Sequence, residues 1–416
     1  MPTAETIATR LARQLAHRGV RHAFGMPGGS TVPLLAAFEA AGIDFCLVRH
    51  EGAAGFMADA AYQLTGAPGV CVSTLGPGAT NLVTGAAGAL MERSRMLAIA
   101  GQCDPAIEAL YTHQILDQVA LFRPVTRHAE ALRAETAARQ LDLIFRRLDH
   151  GPPGPIYLEL AASVARTETS LPPWPVTPAP PVRPADAALD AAVIRLQQAQ
   201  RPVLFVGCGD LRSETAAAVT ALADALNAPV MTSYRAKGMI DEASPWSVGA
   251  AGLSPKVDAI QQALLRGADL LIAVGLDPVE LRPNWLPGWP ETLPVINIDP
   301  YGQPDLIAHS EVELRGDPNL ILSAMLADVS SSAWTVEALD AHRAGIHALF
   351  EDGPDGPAAA IRAVQRGLDG AEAVVSLDVG AHRITASHVW QSRQPGRLLQ
   401  SNGFSSMGSG LRQPGP

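Results

Sequence analysis

Short runs of β-branched and apolar residues recur along this chain with a helix-length stretch between them, and that alternation limits the fold more than any other feature. In the first 168 residues the runs fall at 22–24, 45–48, 69–74, 96–100 and 155–160. A strand that is followed by a helix and then another strand returns parallel to the first, by a right-handed crossover. The pattern therefore predicts an α/β chain of successive doubly wound parallel sheets. Composition agrees: 37 Gly and 34 Pro with only 5% aromatic residues suit many tight βα turns better than an all-β sandwich. With 47% hydrophobic and 17% charged residues the chain can fill buried cores, which argues against disorder.

A length of 416 residues corresponds to two to three domains at roughly 150 residues each. The first is expected at 1–168. Residues 171–184 hold seven prolines in fourteen positions and read as an extended linker within 169–185. The alternation resumes at 203–207, 229–232, 269–275 and 293–299, predicting a second parallel domain over 186–332. The remainder, 333–416, offers helices at 336–350 and 358–368 and one strand at 373–378. That is too little for a third domain of the same kind.

The formal charge of −10, from 31 basic and 41 acidic residues without a basic stripe, argues against nucleic acid and anionic membranes as partners. Cys46, Cys71, Cys103 and Cys208 lie far apart. They outline neither a zinc site nor a disulfide framework and fit a reducing cytoplasm. No apolar run approaches the ~20 residues that span a bilayer. The opening stretch 5–20, with Glu5, three arginines and His17 around an Ile7, Leu11, Leu15 stripe, reads as an amphipathic core helix rather than a signal peptide.

Several turns are candidates for chemistry. Gly25-Met26-Pro27-Gly28-Gly29-Ser30-Thr31 links the first strand to a helix, but no Lys follows as a phosphate-cradling P-loop requires. In His50-Glu51-Gly52-Ala53-Ala54 the acid sits where a strand meets a helix, and Ala54 stands where a zincin needs its second His. Gly76-Pro77-Gly78-Ala79-Thr80-Asn81 either binds an anion or simply ends a strand. Gly207-Cys208-Gly209 begins like a dinucleotide fingerprint. Arg212 replaces its third glycine, and no acid closes the strand near 232–234.

Taken together, GVRHAFGMPGGS, VRHEGAAGFMADAAYQLTGAPGV, STLGPGATNLVTG, IAGQ, HQILDQVALFRPVT and GPPGPIYLEL closely resemble the pyrimidine-binding domain of thiamine-diphosphate-dependent 2-oxoacid enzymes, with acetolactate synthase the nearest relative. RPVLFVGCGD, NAPVMTSYRAKGMIDE, ADLLIAVGLDPVE and INIDP resemble that family's central domain. SLDVGAH and LLQSNGFSSMGSGL resemble the opening of its diphosphate-binding domain.

The resemblance implies thiamine diphosphate as cofactor, a 2-oxoacid such as pyruvate as substrate, and a homodimer or homotetramer with active sites formed between subunits. It implies that Glu51 is the carboxylate that hydrogen-bonds the aminopyrimidine ring and drives proton removal from the thiazolium. Pro27, Gly28 and Gly29 match the loop near the reaction centre. Pro77, Gly78 and Asn81 match the turn lining the pyrimidine pocket, and Gln114 matches a glutamine close to the cofactor. Met407 matches the residue that props the cofactor in its bent shape, and Asp378, Gly380 and His382 fall in the stretch approaching the diphosphate.

This sequence also departs from the family. His113 replaces a common aromatic residue, and Ser405 stands where many relatives have glycine. Residues 276–282 depart from the flavin-associated pattern of acetolactate synthases, leaving FAD an open cofactor. Relatives continue into an Asp-Gly-Asp motif with a downstream Asn that holds magnesium, a hard cation needing oxygen ligands. That motif is absent from this sequence, so no metal ligand is assigned here. The resemblance thus implies an enzyme impaired by loss of that motif, and the alternatives are a non-catalytic pseudoenzyme, a half-site partner of a full-length homologue, and a frameshifted or incomplete gene.

Overall fold

The computed structural model describes residues 4–107, 110–175, 180–302, 309–327, 329–368, 371 and 373–412. The chain divides into two compact units, 1–179 with 403–416, and 180–402.

The first unit runs β1 (Glu5–Thr6), α1 (Ile7–His17), β2 (His22–Gly25), α2 (Val32–Ala40), β3 (Asp44–Leu47), α3 (Glu51–Thr65), β4 (Gly69–Ser73), α4 (Pro77–Met91), β5 (Met96–Gln102), α5 (Gln118–Phe122), β6 (His128–Ala131), α6 (Ala137–Asp149), β7 (Pro155–Ala161), α7 (Ala162–Arg166) and β8 (Glu168–Thr169). Its main sheet has the order β3-β2-β4-β5-β7-β6, parallel throughout. Successive residues of a strand face opposite ways, and both faces are covered. Val70, Val72, Leu97, Ile99, Ile156 and Leu158 pack with residues of α1, α2, α6 and α7. Cys71, Met96, Ala98, Ala100 and Tyr157 pack with α3, α4 and Phe122 of α5. The central strands β4, β5 and β7 are therefore apolar almost end to end, as strands buried on both faces must be.

Helices α3 and α4 approach to backbone contact. A Cβ on Gly55 would lie 2.6 Å from the Cα of Gly85, and one on Gly85 equally close to Gly55. Only glycine at both positions permits this spacing.

The second unit runs α8 (Asp186–Gln198), β9 (Pro202–Val206), α9 (Ser213–Leu226), β10 (Val230–Ser233), β11 (Ser247–Ala251), α10 (Pro255–Arg266), β12 (Leu270–Val274), α11 (Trp285–Gly288), β13 (Val295–Asp299), β14 (Val312–Arg315), α12 (Pro318–Met325), α13 (Val336–Ala348), α14 (Pro357–Gly367), β15 (Val375–Leu377), α15 (Ala381–Val389) and β16 (Leu398–Gln400). Its main sheet has the order β11-β10-β9-β12-β13-β14, again parallel. One face buries Leu204, Ile272 and Ile298 under α8, α9 and α12. The other buries Phe205, Leu271 and Val295 with Trp285, Trp334 and Leu339. Leu339 lies on α13, so this helix, read from sequence as the start of the last segment, packs into the core of the central sheet. Strands β15 and β16 form a separate parallel pair.

The ten strands expected from sequence all form, with shifted ends. The sequence reading missed β6, β11, β14 and β16 as well as the short antiparallel pair β1 and β8. The proline-rich stretch is not a free tether where it is described. Arg10 donates to the carbonyls of Leu171 and Pro172, Trp174 N–H reaches Asp142, and Val182 C=O accepts from Asp317 N–H. Residues 176–179 lie outside the described residues. Among the described residues no helix is long and apolar enough to cross a membrane.

Candidate active site

In the first unit the strand order reverses between β2 and β4: the chain leaves β2 for β3, then crosses to β4 on the other side. In open parallel sheets the crevice outside the carboxyl ends at such a switch point is where ligands sit. The loops after β2, β3, β4 and β5 all open onto this edge, and small residues let them nest. A Cβ on Gly28 would fall 2.6 Å from Thr74 Oγ1, and one on Gly101 would collide with Ser30 Oγ at 2.0 Å. Buried Thr31 closes the first loop, accepting from Gly28 N–H and donating to Gly28 C=O, each at 3.0 Å. Pro27 and Gly29 remain exposed on the rim.

Glu51 opens α3 behind His50, whose Nδ1 caps the helix by accepting from Gly52 N–H at 3.1 Å. The positive end of the helix dipole favours a carboxylate in this first turn. The Glu51 side chain is nonetheless only 5% exposed, and Asn81 Nδ2 donates to its Oε2 at 2.9 Å. The Gly55–Gly85 contact of α3 with α4 brings these two residues together. Gly78 keeps the other oxygen clear, since a Cβ there would stand 3.3 Å from Glu51 Oε1 and 2.9 Å from Thr74 Cγ2. Glu51, Gly78 and Asn81, singled out from sequence, thus meet at one point.

Gly76 takes φ +62°, and a Cβ on it would strike Gln114 C=O at 2.7 Å. Gln114 lies across this turn, exposed, with its own φ at +61°. A left-handed glutamine is strained by about 1–3 kcal/mol, and such strain clusters where a side chain must be aimed at a ligand. Its neighbour His113 meets Tyr111 edge-on, with ring centroids 6.2 Å apart.

Sequence reading missed Gln118 and Glu159. Gln118, buried on α5, accepts from Gly76 N–H at 2.9 Å and donates to Gly101 C=O at 3.1 Å and to Glu159 Oε2 at 3.0 Å. Gln102 Nε2 donates to the same Glu159 oxygen at 3.1 Å. This network ties the ends of β4, β5 and β7 together beneath the Gly76 turn. Its signal was a lone amide in QVALF behind the Asp117 cap, and a lone acid in the apolar strand PIYLELA. Gln118→Leu is expected to cost about 1–3 kcal/mol, by leaving buried polar groups unpaired. Hydrogen exchange should show selective loss of protection at Gly76 N–H, and an unchanged Gly76 rate would remove Gln118 from this role.

The segment that carries Met407 belongs to the first unit. It is tied at Gly403, whose N–H donates to Glu92 Oε1 at 2.9 Å. Glu92 caps the C-terminal end of α4, opposite Gly78 and Asn81. With 15 residues in α4, those ends stand about 22 Å apart at ~1.5 Å per residue. Met407 is 81% exposed. Ser405 keeps the backbone expected of the glycine it replaces, with φ at +52°.

Asp378, Gly380 and His382 belong to the second unit, on the turn from β15 into α15. Asp378 Oδ1 accepts from Val379 N–H at 2.8 Å. A Cβ on Gly380, at φ +148°, would fall 2.9 Å from His382 Nδ1. This strand-turn-helix sets the turn at a helix N-terminus, a geometry suited to phosphate. Among the described residues no group of three or more His, Cys, Asp and Glu side chains could hold a metal ion. Of the remaining histidines, His50 serves as the α3 cap, while His128 on β6 bonds Glu130 at 2.9 Å. His388 is half-buried with its ring nitrogen 2.7 Å from Tyr234 Oη, and desolvation, helped by the charge of Lys237, pushes its imidazole down to about 3.

Comparison with known proteins accounts for this arrangement. Residues 5–121 match the thiamine pyrophosphate enzyme N-terminal TPP binding domain, and residues 189–325 match the thiamine pyrophosphate enzyme central domain. The acetolactate synthase of Bacillus subtilis (strain 168) is 30% identical over 95% of this chain and 71% of its own length. The acetolactate synthase isozyme 2 large subunit of Escherichia coli (strain K12) is 29% identical over 95% of this chain and 72% of its own. A Pseudomonas aeruginosa protein named "Probable 2-ketoarginine decarboxylase" is 32% identical over 98% of this chain and 73% of its own. With the two matched segments falling on the two parallel sheets, the chain belongs to the thiamine pyrophosphate enzyme family and is similar to acetolactate synthase large subunits.

Proposed function

We propose that the chain is a thiamine-diphosphate-dependent decarboxylase or carboligase of 2-oxoacids, of the acetolactate synthase type, working in the cytoplasm as a homodimer or homotetramer. The observation that carries this reading is the buried Glu51 carboxylate, held through one oxygen by Asn81 and cleared at the other by Gly78. That donor set fits an aminopyrimidine, which offers a ring nitrogen to a protonated or proton-sharing acid. When bound, thiamine diphosphate supplies a carbon acid that adds to a keto carbon and takes up the electrons released with carbon dioxide.

The chain's own part is to bind and aim. Glu51 holds a proton at its free oxygen and shares it with the pyrimidine ring. Pro77, Gly78 and Asn81 wall the pocket, while Pro27, Gly28, Gly29 and Gln114 border the space for substrate. Asp378, Gly380, His382 and Met407 serve the diphosphate side. Because the Met407 segment is tied to the far end of α4, we assign that side of each site to a second subunit.

A second reading is that the chain lends its Glu51 half-site to a full-length homologue. Titration calorimetry with thiamine diphosphate and magnesium, followed by assay of carbon dioxide release from pyruvate and from longer aliphatic and aromatic 2-oxoacids, separates the two. Saturable binding with release from at least one acid is expected. Binding only once a full-length homologue is added favours the half-site reading, and no binding with or without the homologue overturns both.

A further inference from the structure

The second unit has the strand order in which a dinucleotide ordinarily lies across the β9/β12 switch point, with its pyrophosphate against the glycine-rich turn after the first strand. Here the turn is Gly207-Cys208-Gly209, and the space before it is filled from within. Glu280, on the short helical turn Pro278–Glu280, is wholly buried. Its Oε2 accepts from Cys208 N–H at 2.9 Å, the amide that such a turn presents to phosphate. Its Oε1 takes the hydroxyl of Ser233 at the end of β10.

The turns on either side are closed on one another. Gly209 N–H donates to Gly275 C=O at 2.8 Å. A Cβ on Gly207 would lie 2.4 Å from that carbonyl oxygen and 2.8 Å from Glu280 Oε2. From β11, Gly252 abuts the Glu280 carbonyl, which a Cβ there would meet at 2.5 Å. The glycines that would admit a ligand's phosphate instead admit this carboxylate.

We infer that Glu280 is a built-in occupant of the anion position of the central unit, and that this unit therefore takes neither FAD nor another dinucleotide. The FAD left open by the sequence does not fit, and no step of the proposed reaction involves it. The inference is independent of that reaction, since it concerns only the second unit. The charged groups that act on Glu280 are Arg235 beyond β10 and Asp277 in its own turn. Burial pushes Glu280 up to about 7 against the Ser233 hydroxyl, the charge of Arg235 and the Cys208 N–H, with Asp277 adding to the rise. At neutral pH the carboxyl is thus shared between a form that donates to Ser233 and one that only accepts.

The test uses the full chain. Wild type should carry no flavin absorbance after purification and show no saturable binding of FAD or ADP by fluorescence and calorimetry. Glu280→Ala should bind inorganic pyrophosphate roughly tenfold or more tightly than wild type. Glu280→Gln keeps the volume, with its amide oxygen accepting from Cys208 N–H and its NH₂ donating to Ser233, and so should remain folded and bind no nucleotide. An acid whose folded value is raised above its ordinary 4.5 contributes stability below that value and loses it as pH rises through about 7. The melting temperature of wild type relative to Glu280→Gln should accordingly fall by several degrees between pH 5 and pH 8. Stoichiometric flavin in wild type, a folded Glu280→Ala without any gain for pyrophosphate, or a flat difference across pH would each overturn the assignment.

Discussion

Glu51→Gln is expected to lower turnover of the 2-oxoacid substrate by roughly 10²–10⁴-fold, the range lost when a positioned proton-transfer group is removed. The exchange isolates the chemistry. Glutamine fills the same volume at the start of α3, and its amide oxygen still accepts from Asn81 Nδ2, so the 2.9 Å contact across α3 and α4 survives. What disappears is the acid's capacity to hold and share a proton at the oxygen beside Gly78. The melting temperature should stay within a degree or two, because Asn81 Nδ2 keeps its acceptor, and thiamine diphosphate should still bind. Steady-state release of carbon dioxide, measured beside a melting curve and a cofactor titration, checks the three together. Unchanged turnover would remove Glu51 from the mechanism. Lost turnover with lost cofactor binding would make it a binding residue instead.

On position alone Glu51 reads as a first-turn carboxylate favoured by the helix dipole, and only the resemblance of its motif marked it as a site candidate. The central strands were legible because burial on both faces demands an unbroken apolar run, as in MLAIAGQ of β5. Edge strands carry no such demand. His128 and Glu130 sit on β6 and pair with each other and with Arg147, so that strand reads as polar loop. The same holds for β14, whose Glu313 and Arg315 lie at an edge of the second unit's sheet. Strand β11, SVGAA, is buried but built of small residues around a left-handed Gly249, which weakens any strand signature.

Partnerships between distant residues were the least legible. Nothing local tells that Gln118 holds Gly76, or that the departure from the flavin-associated pattern at 276–282 ends in a carboxylate bonded to Cys208, 72 positions away. Such contacts follow from which strand ends the topology brings side by side. The switch-point rule could have located both crevices once the strand orders were in hand, but the orders themselves depend on the edge strands that composition concealed.

Arg10 belongs to the same class and sets the largest expected effect on stability. The amphipathic reading of α1 placed its arginines around an apolar stripe, yet Arg10 is only 1% exposed. Its guanidinium donates to Asp142 at 2.7 Å and to Leu171 C=O at 2.6 Å, joining α1, α6 and the start of the proline-rich stretch. Removing one partner of a buried ion pair typically costs 3–5 kcal/mol, because the other charge stays buried. Asp142 would keep Arg139 at 2.9 Å, so Arg10→Met is expected at the lower end, about 3 kcal/mol by denaturant unfolding. Leu171 C=O would lose its Arg10 donor and Pro172 C=O would be left with Arg139 at 3.3 Å, so cleavage by a protease within 171–175 should quicken. Arg10→Met combined with Asp142→Leu removes both charges and should recover part of the loss, since a buried pair replaced by apolar side chains is often neutral. A double mutant no better than the single would show that the damage lies in the freed chain rather than in the stranded carboxylate.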